Sequence, residues 1–171
     1  LPKRLFILFA TILITGASAW ATIVVRMDFN RQALEADLVI VGKPVSSEPV
    51  RWRGYPCTKV KIRIEEVIAG ATSGGEVEVI QPGGARVRVA GVKKLLSNKS
   101  YLLLLEKLPD GYYRIMGFNQ GAHRIFIEKG TSRKVVITET RRVKGRGITL
   151  EAAKKRIRAV RQRARKKAPP K

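Results

Sequence analysis

Hydrophobic positions along the chain follow two periods. From Thr58 to Ile64 they alternate: Val60, Ile62 and Ile64 point one way, Lys59, Lys61 and Arg63 the other, as in a strand buried on one face. The same period of two recurs over Glu76–Ile80 and Arg86–Val89, and further strands are expected at Tyr112–Phe118, His123–Glu128 and Val135–Thr138. Leu38–Val41 and Tyr101–Leu105 are wholly apolar, which predicts strands covered on both faces. Pro109-Asp110-Gly111 has the chemistry of a hairpin turn, and Gly70, Gly74-Gly75, Gly83-Gly84, Gly121 and Gly130 punctuate the series. A longer period appears at the two ends of this body. Asp28–Ala36 predicts a short helix capped by Asp28 or Asn30. Near the C-terminus Thr149 caps a helix whose apolar positions Leu150, Ala153, Ile157, Val160 and Ala164 step by three and four, with Pro169-Pro170 as its stop. That stripe is narrow and fits either the body or a second helix. Many short strands between two helices predict a mainly β protein, a small barrel or sandwich.

A third pattern precedes these. Lys3 and Arg4 stand before the uncharged run that starts at Leu5, and the run ends in the small-residue stretch Ala17-Ser18-Ala19-Trp20-Ala21. This is the layout of a secretory signal peptide over residues 1–21, with a cut after Ala19 or Ala21. The strongly apolar part, Leu5–Ile14, would form a helix of about 15 Å, half of the roughly 30 Å hydrocarbon core. Read without a cut, Leu5–Val25 would reach about 31 Å and serve as an anchor to residue 25, leaving the later chain outside. Either way the expected location is exported: periplasmic, secreted or membrane-anchored facing outward. The expected organisation is a signal over 1–21, a β-barrel domain over 22–140, and a basic linker with an amphipathic C-terminal helix over 141–171.

Charge changes the picture most at the C-terminus. The net charge of the 171 residues is +22. Residues 22–140 carry 19 basic and 12 acidic residues, whereas residues 141–171 carry 14 basic residues against Glu151 alone. The body is mildly basic and the tail is a polycation, which attracts polyanions over about one Debye length. Export makes envelope polymers and lipid head groups the relevant polyanions and demotes nucleic acid as a partner in vivo. An apolar fraction of 44% and a charged fraction of 28% are those of a folded domain. The single cysteine, Cys57, has no intramolecular partner, so the core alone must hold the fold.

Catalytic chemistry has little to work with. The one histidine, His123, sits on an alternating strand beside Arg124. Glu65 and Glu66 are adjacent on a strand and point to opposite faces, so they do not form an acid–base pair. No His/Cys cluster has metal-ligand spacing, and Gln81-Pro82-Gly83-Gly84 reads as a turn, not a phosphate loop. The expectation is no enzyme, no cofactor and no metal. Binding residues are easier to nominate. Arg51, Trp52, Arg53 and Tyr55 interleave guanidinium groups with aromatic faces in one short connection, and Lys154, Lys155, Arg158, Arg161 and Arg165 lie on the basic helix.

Several segments together carry a resemblance: Ala36–Lys43, Glu65–Gly70, Gln81–Gly84, Tyr101–Glu106, Pro109–Arg114, Gly117, Gln120-Gly121 and Leu150–Arg158. Over most of the mature chain they resemble a group of uncharacterised bacterial secreted proteins. Their order is also distantly similar to netrin-like domains, the family of the tissue inhibitors of metalloproteinases. That resemblance implies an OB-like (netrin-like) small β-barrel with a short N-terminal helix and a basic C-terminal helix. Those inhibitors use an amino-terminal cysteine and several disulfides, and Cys57 matches neither feature. The expected role is an exported non-enzymatic binding module that engages an anionic polymer or lipid surface at the envelope. A protease-inhibitor-like module recognising an extracellular protein, and a nucleic-acid-binding OB-like protein, are the alternatives.

Overall fold

The run Tyr101–Leu105 is buried at all five positions, and the fold is organised around the reason. In a strand, alternate side chains face opposite ways. Tyr101, Leu103 and Leu105 enter one core with Leu38, Ile40, Val60, Ile62, Val77 and Val79. Leu102 and Leu104 enter another, formed with Val39, Val41 and residues of two helices, among them Phe29, Ala33, Ala153 and Ile157. The structure, a computed structural model, describes residues 25–136 and 147–167. The expected signal or anchor, residues 137–138 of the strand expected over Val135–Thr138, residues 141–146 of the basic linker, and Pro169-Pro170 lie outside the described residues.

The elements run in the order α1 (Phe29–Glu35), β1 (Leu38–Trp52), β2 (Tyr55–Ala69), β3 (Glu76–Pro82), β4 (Tyr101–Lys107), β5 (Tyr113–Ile115), a 3₁₀ turn (Met116–Asn119), β6 (Ala122–Ile127), β7 (Lys134–Val136), β8 (Ile148–Thr149) and α2 (Leu150–Lys167). The protein is mainly β, with a short helix before the strands and a basic helix after them. The strands form one mixed sheet in the order β1-β2-β3-β5-β4-β6-β7-β8, and β1 also pairs with β4. That extra pairing, from Leu38↔Leu105 to Gly42↔Tyr101, closes β1, β2, β3, β5 and β4 into a ring. The closure is uneven. β1 and β2 pair from Val39↔Ala69 to Trp52↔Tyr55, whereas β3 and β5 touch in parallel at Val79↔Tyr113 alone.

Both helices lie on the outer side of this ring. The Asp28 side chain caps α1 by accepting from the Asn30 amide, 2.9 Å away. Thr149 does the same for α2, its Oγ1 accepting from the Ala152 amide at 3.1 Å. The stripe of α2 turns inward: Leu150, Ala153 and Ile157 are buried, and Val160 and Ala164 are half-buried. It packs on α1, β2, β7 and β8 and joins the core that holds the outer row of β1 and β4, within the same chain. Gly70 ends β2 at φ +89°, where a Cβ would collide with the Asp37 carbonyl, so this approach of β2 to the start of β1 requires glycine.

Three expected elements differ. Arg86–Val89 is not a strand, because no face of it is buried: Val87 is exposed, and the Gly84 amide bonds back to the Val87 carbonyl at 3.0 Å. The strand expected over Tyr112–Phe118 stops at Ile115, because Gly117 and Phe118 take left-handed backbone at φ 58° and 67°. Ile148-Thr149, read as a helix cap alone, also forms β8 against Val135 and Val136.

Candidate functional site

The connection between β1 and β2 is a two-residue hairpin turn, Arg53-Gly54, both at positive φ (51° and 84°), which matches the right-handed twist of the flanking strands. Trp52 and Tyr55 are direct cross-strand partners. The Arg53 guanidinium lies 4.6 Å from the Trp52 ring centroid, a cation–π stack. Three of the four nominated residues therefore meet at the tip. Arg51 pairs with Pro56 one position back and projects to the opposite face. The Trp52 indole is half-buried, and its Nε1 donates to Asp110 Oδ2 at 2.6 Å, joining this tip to the β4–β5 turn.

Trp52 also forms one wall of a groove of about 680 Å³, lined by residues of β3 and β5 among others. Gln81 and Arg114 line it, with Phe118 at the rim. Its polar groups are largely engaged within the protein. Gln81 donates to Asn119 Oδ1 at 2.9 Å, and Arg114 makes two bonds to the Glu106 carboxylate at 2.7 and 2.8 Å. Cys57 borders this groove but is buried. Burial pushes its thiol pKa up, against a smaller opposing effect of a backbone hydrogen bond with Trp52, so the reactive thiolate is disfavoured at neutral pH. His123 is buried with its ring edge-on to Phe29, centroids 5.5 Å apart. Among the described residues no group of His, Cys, Asp and Glu is arranged to hold a metal ion, and no helix is long and apolar enough to cross a membrane.

The basic helix divides its cations by face. Lys154, nominated for binding, is only 8% exposed and joins Glu66 on β2 (2.6 Å) to Glu151 (2.7 Å). Burial disfavours its charge, but the hydrogen bonds to Glu151 and Glu66 outweigh that and raise its pKa. Arg161 is also turned inward: its Nη1 donates to the carbonyls of Ala33 (3.2 Å) and Ala36 (2.7 Å) at the end of α1, satisfying helix-terminal acceptors. The structure thus places these two residues, expected as ligand contacts, in bonds within the fold. They occupy the helix positions that flank the buried stripe, so packing claims them. Arg158 is mostly exposed and reaches Glu66 at 3.9 Å. Lys155 and Arg165 face solvent as expected.

Arg163 and Lys166 share the exposed side of α2 and complete its cationic face. Lys166 lies opposite Ile157 on the helix and Arg163 about 120° from it, both outside the buried stripe, and that spacing is the signal that identifies them. Asp110 and Gln81 had no such signal: each meets its partner across 58 and 38 positions of sequence. Compared with known proteins, the chain matches no family model and no curated protein sequence.

Proposed function

We propose that this protein is an exported, non-enzymatic binding module that holds an anionic envelope polymer or lipid surface on the outer face of α2. One observation carries the reading. The apolar stripe of α2 is docked on its own body, while Lys155, Arg158, Arg163, Arg165 and Lys166 face outward. A docked helix holds these cations at fixed spacing, so less ordering entropy is lost on binding than with a free tail. Phosphate or carboxylate groups on a polymer suit such a face, because guanidinium and ammonium groups bind them by charge-assisted hydrogen bonds. The support for an OB-like barrel is the ring order β1-β2-β3-β5-β4 with its parallel β3–β5 contact. Buried His123 and Cys57 support a binding role over catalysis. Export rests on the signal-like residues 1–21.

The test is retention on immobilised heparin and on vesicles containing anionic lipid, each measured against salt. The quadruple variant K155Q/R163Q/R165Q/K166Q is expected to elute at far lower salt with its helix content unchanged, because every lost ionic contact flattens the salt dependence. Unchanged retention overturns the reading.

A second reading, recognition of an extracellular protein in the manner of netrin-like inhibitors, is favoured by the Trp52 groove, since half-buried tryptophans often anchor protein interfaces. It predicts a complex from the same cell fraction that survives high salt and is lost in Trp52→Ala.

A further inference from the structure

Ala122, Arg124 and Phe126 are alternate residues of β6 and share one face. Tyr101, the register partner of Arg124 on β4, stands on that face too. Gly91–Leu96 lies against these residues, and a cavity of about 400 Å³ separates it from the strand, within the range of about 300–1,000 Å³ for small-molecule sites. This pocket adjoins the Trp52 groove, with which it shares Asn119, and among the described residues none of α2 lines it.

Its chemistry is one-sided. Lys93, Lys94 and Arg124 line it, and no aspartate or glutamate does so among the described residues. Leu96 and Phe126 also line it, yet both keep more than a third of their surface exposed. The Arg124 guanidinium sits 4.7 Å over the Phe126 ring. Its Nε is buried and donates to no acceptor among the described residues. That atom is closed to solvent, so an anion in the cavity meets the charge of the guanidinium as a whole and not the Nε itself.

We propose that this cavity binds a small organic anion, with a carboxylate head at Arg124 and Lys94 and an aliphatic body against Leu96 and Phe126. Neither half of the lining suffices alone. A bare inorganic anion would leave the apolar wall wet, and an uncharged alkane would make no use of the Lys94 and Arg124 charges. The site does not depend on the polyanion reading of α2, so either can fail without the other.

Titration calorimetry with octanoate, octan-1-ol and acetate tests this on the full chain. Octanoate is expected to bind one to one, about tenfold or more tighter than octan-1-ol, the ratio that one charge-assisted hydrogen bond supplies. Arg124→Gln should abolish that preference while leaving octan-1-ol unchanged. Lys94→Gln, at an exposed position where folding is not at stake, should weaken octanoate severalfold. The K155Q/R163Q/R165Q/K166Q chain should bind octanoate as the parent does. Equal binding of octanoate and octan-1-ol, acetate binding as tightly as octanoate, or octanoate binding that Lys94→Gln leaves intact overturns the proposal.

Discussion

The Lys154 ammonium lies 2.6 Å from the Glu66 carboxylate and fastens α2 to β2. A cation in the densest basic segment of the chain is thereby withdrawn from solvent and given to the fold. Its neighbour Lys155, one position on, is exposed. Two adjacent lysines of the same helix therefore have separable roles.

Replacing Lys154 by Met keeps the aliphatic packing and removes the ion pair. Urea denaturation is expected to show a loss of about 1.5–3 kcal/mol, the range for hydrogen bonds to charged groups. Heparin retention should barely change. Lys155→Gln should do the reverse, leaving stability within about 0.5 kcal/mol and lowering the eluting salt.

The same cluster sets a pH dependence. The hydrogen bond from Lys154, and then the attraction of its charge, hold the Glu151 carboxyl below its ordinary pKa of 4.5. A carboxylate depressed in the folded state stabilises it above the unfolded value, and that contribution disappears as pH falls through the lowered folded value. The stability gap between the parent and Glu151→Gln should therefore be flat near neutrality and close in acid. Lys154 is raised above its ordinary 10.5. Its share is complete below that value and is lost only as pH rises through the raised one, at strongly alkaline pH.

Ile157 is fully buried where α2 meets α1 and the outer row of β1 and β4. Ile157→Ala should cost about 2–5 kcal/mol in denaturant melts, the range for truncating an aliphatic core residue. Its effect on anion retention should be restored by conditions that restore docking, since Ile157 itself presents no charge.

Trp52→Phe removes the donor to Asp110 but keeps an aromatic ring at the hairpin tip. Stability should fall by about 0.5–1.5 kcal/mol, the net value of one hydrogen bond. Amide exchange at Arg53–Tyr55 should accelerate, because the bond joins two turns 58 residues apart. Asp110→Ala, which removes the acceptor, should behave alike at the tip.

Much of this arrangement is readable from the residues. The alternation over Thr58–Ile64 locates β2, and the two wholly apolar runs mark β1 and β4 as covered on both faces, as they are. The stepped stripe Leu150–Ala164 gives α2 and its docked side. Alternation without burial misleads at Arg86–Val89, because a period of two reports a strand only where one face has something to pack on. The left-handed residues Gly117 and Phe118 cut β5 short, and phenylalanine gives little warning of such a conformation. Charge also hides function from structure. Lys154 and Arg161 look like their neighbours in a basic helix, and the partners that draw them inward, Glu66 and the α1 carbonyls, lie on distant segments. The contact of Trp52 with Asp110 belongs to the same class of long-range pairing.

The double covering of β4 carries a consequence for how the polypeptide matures. Val39, Val41, Leu102 and Leu104 are synthesised long before Ala153 and Ile157, the residues that shelter them. Until those late residues emerge, the greasy row on the nascent molecule has only part of its cover, from Phe29 and Ala33, and consolidation must wait for α2 to arrive.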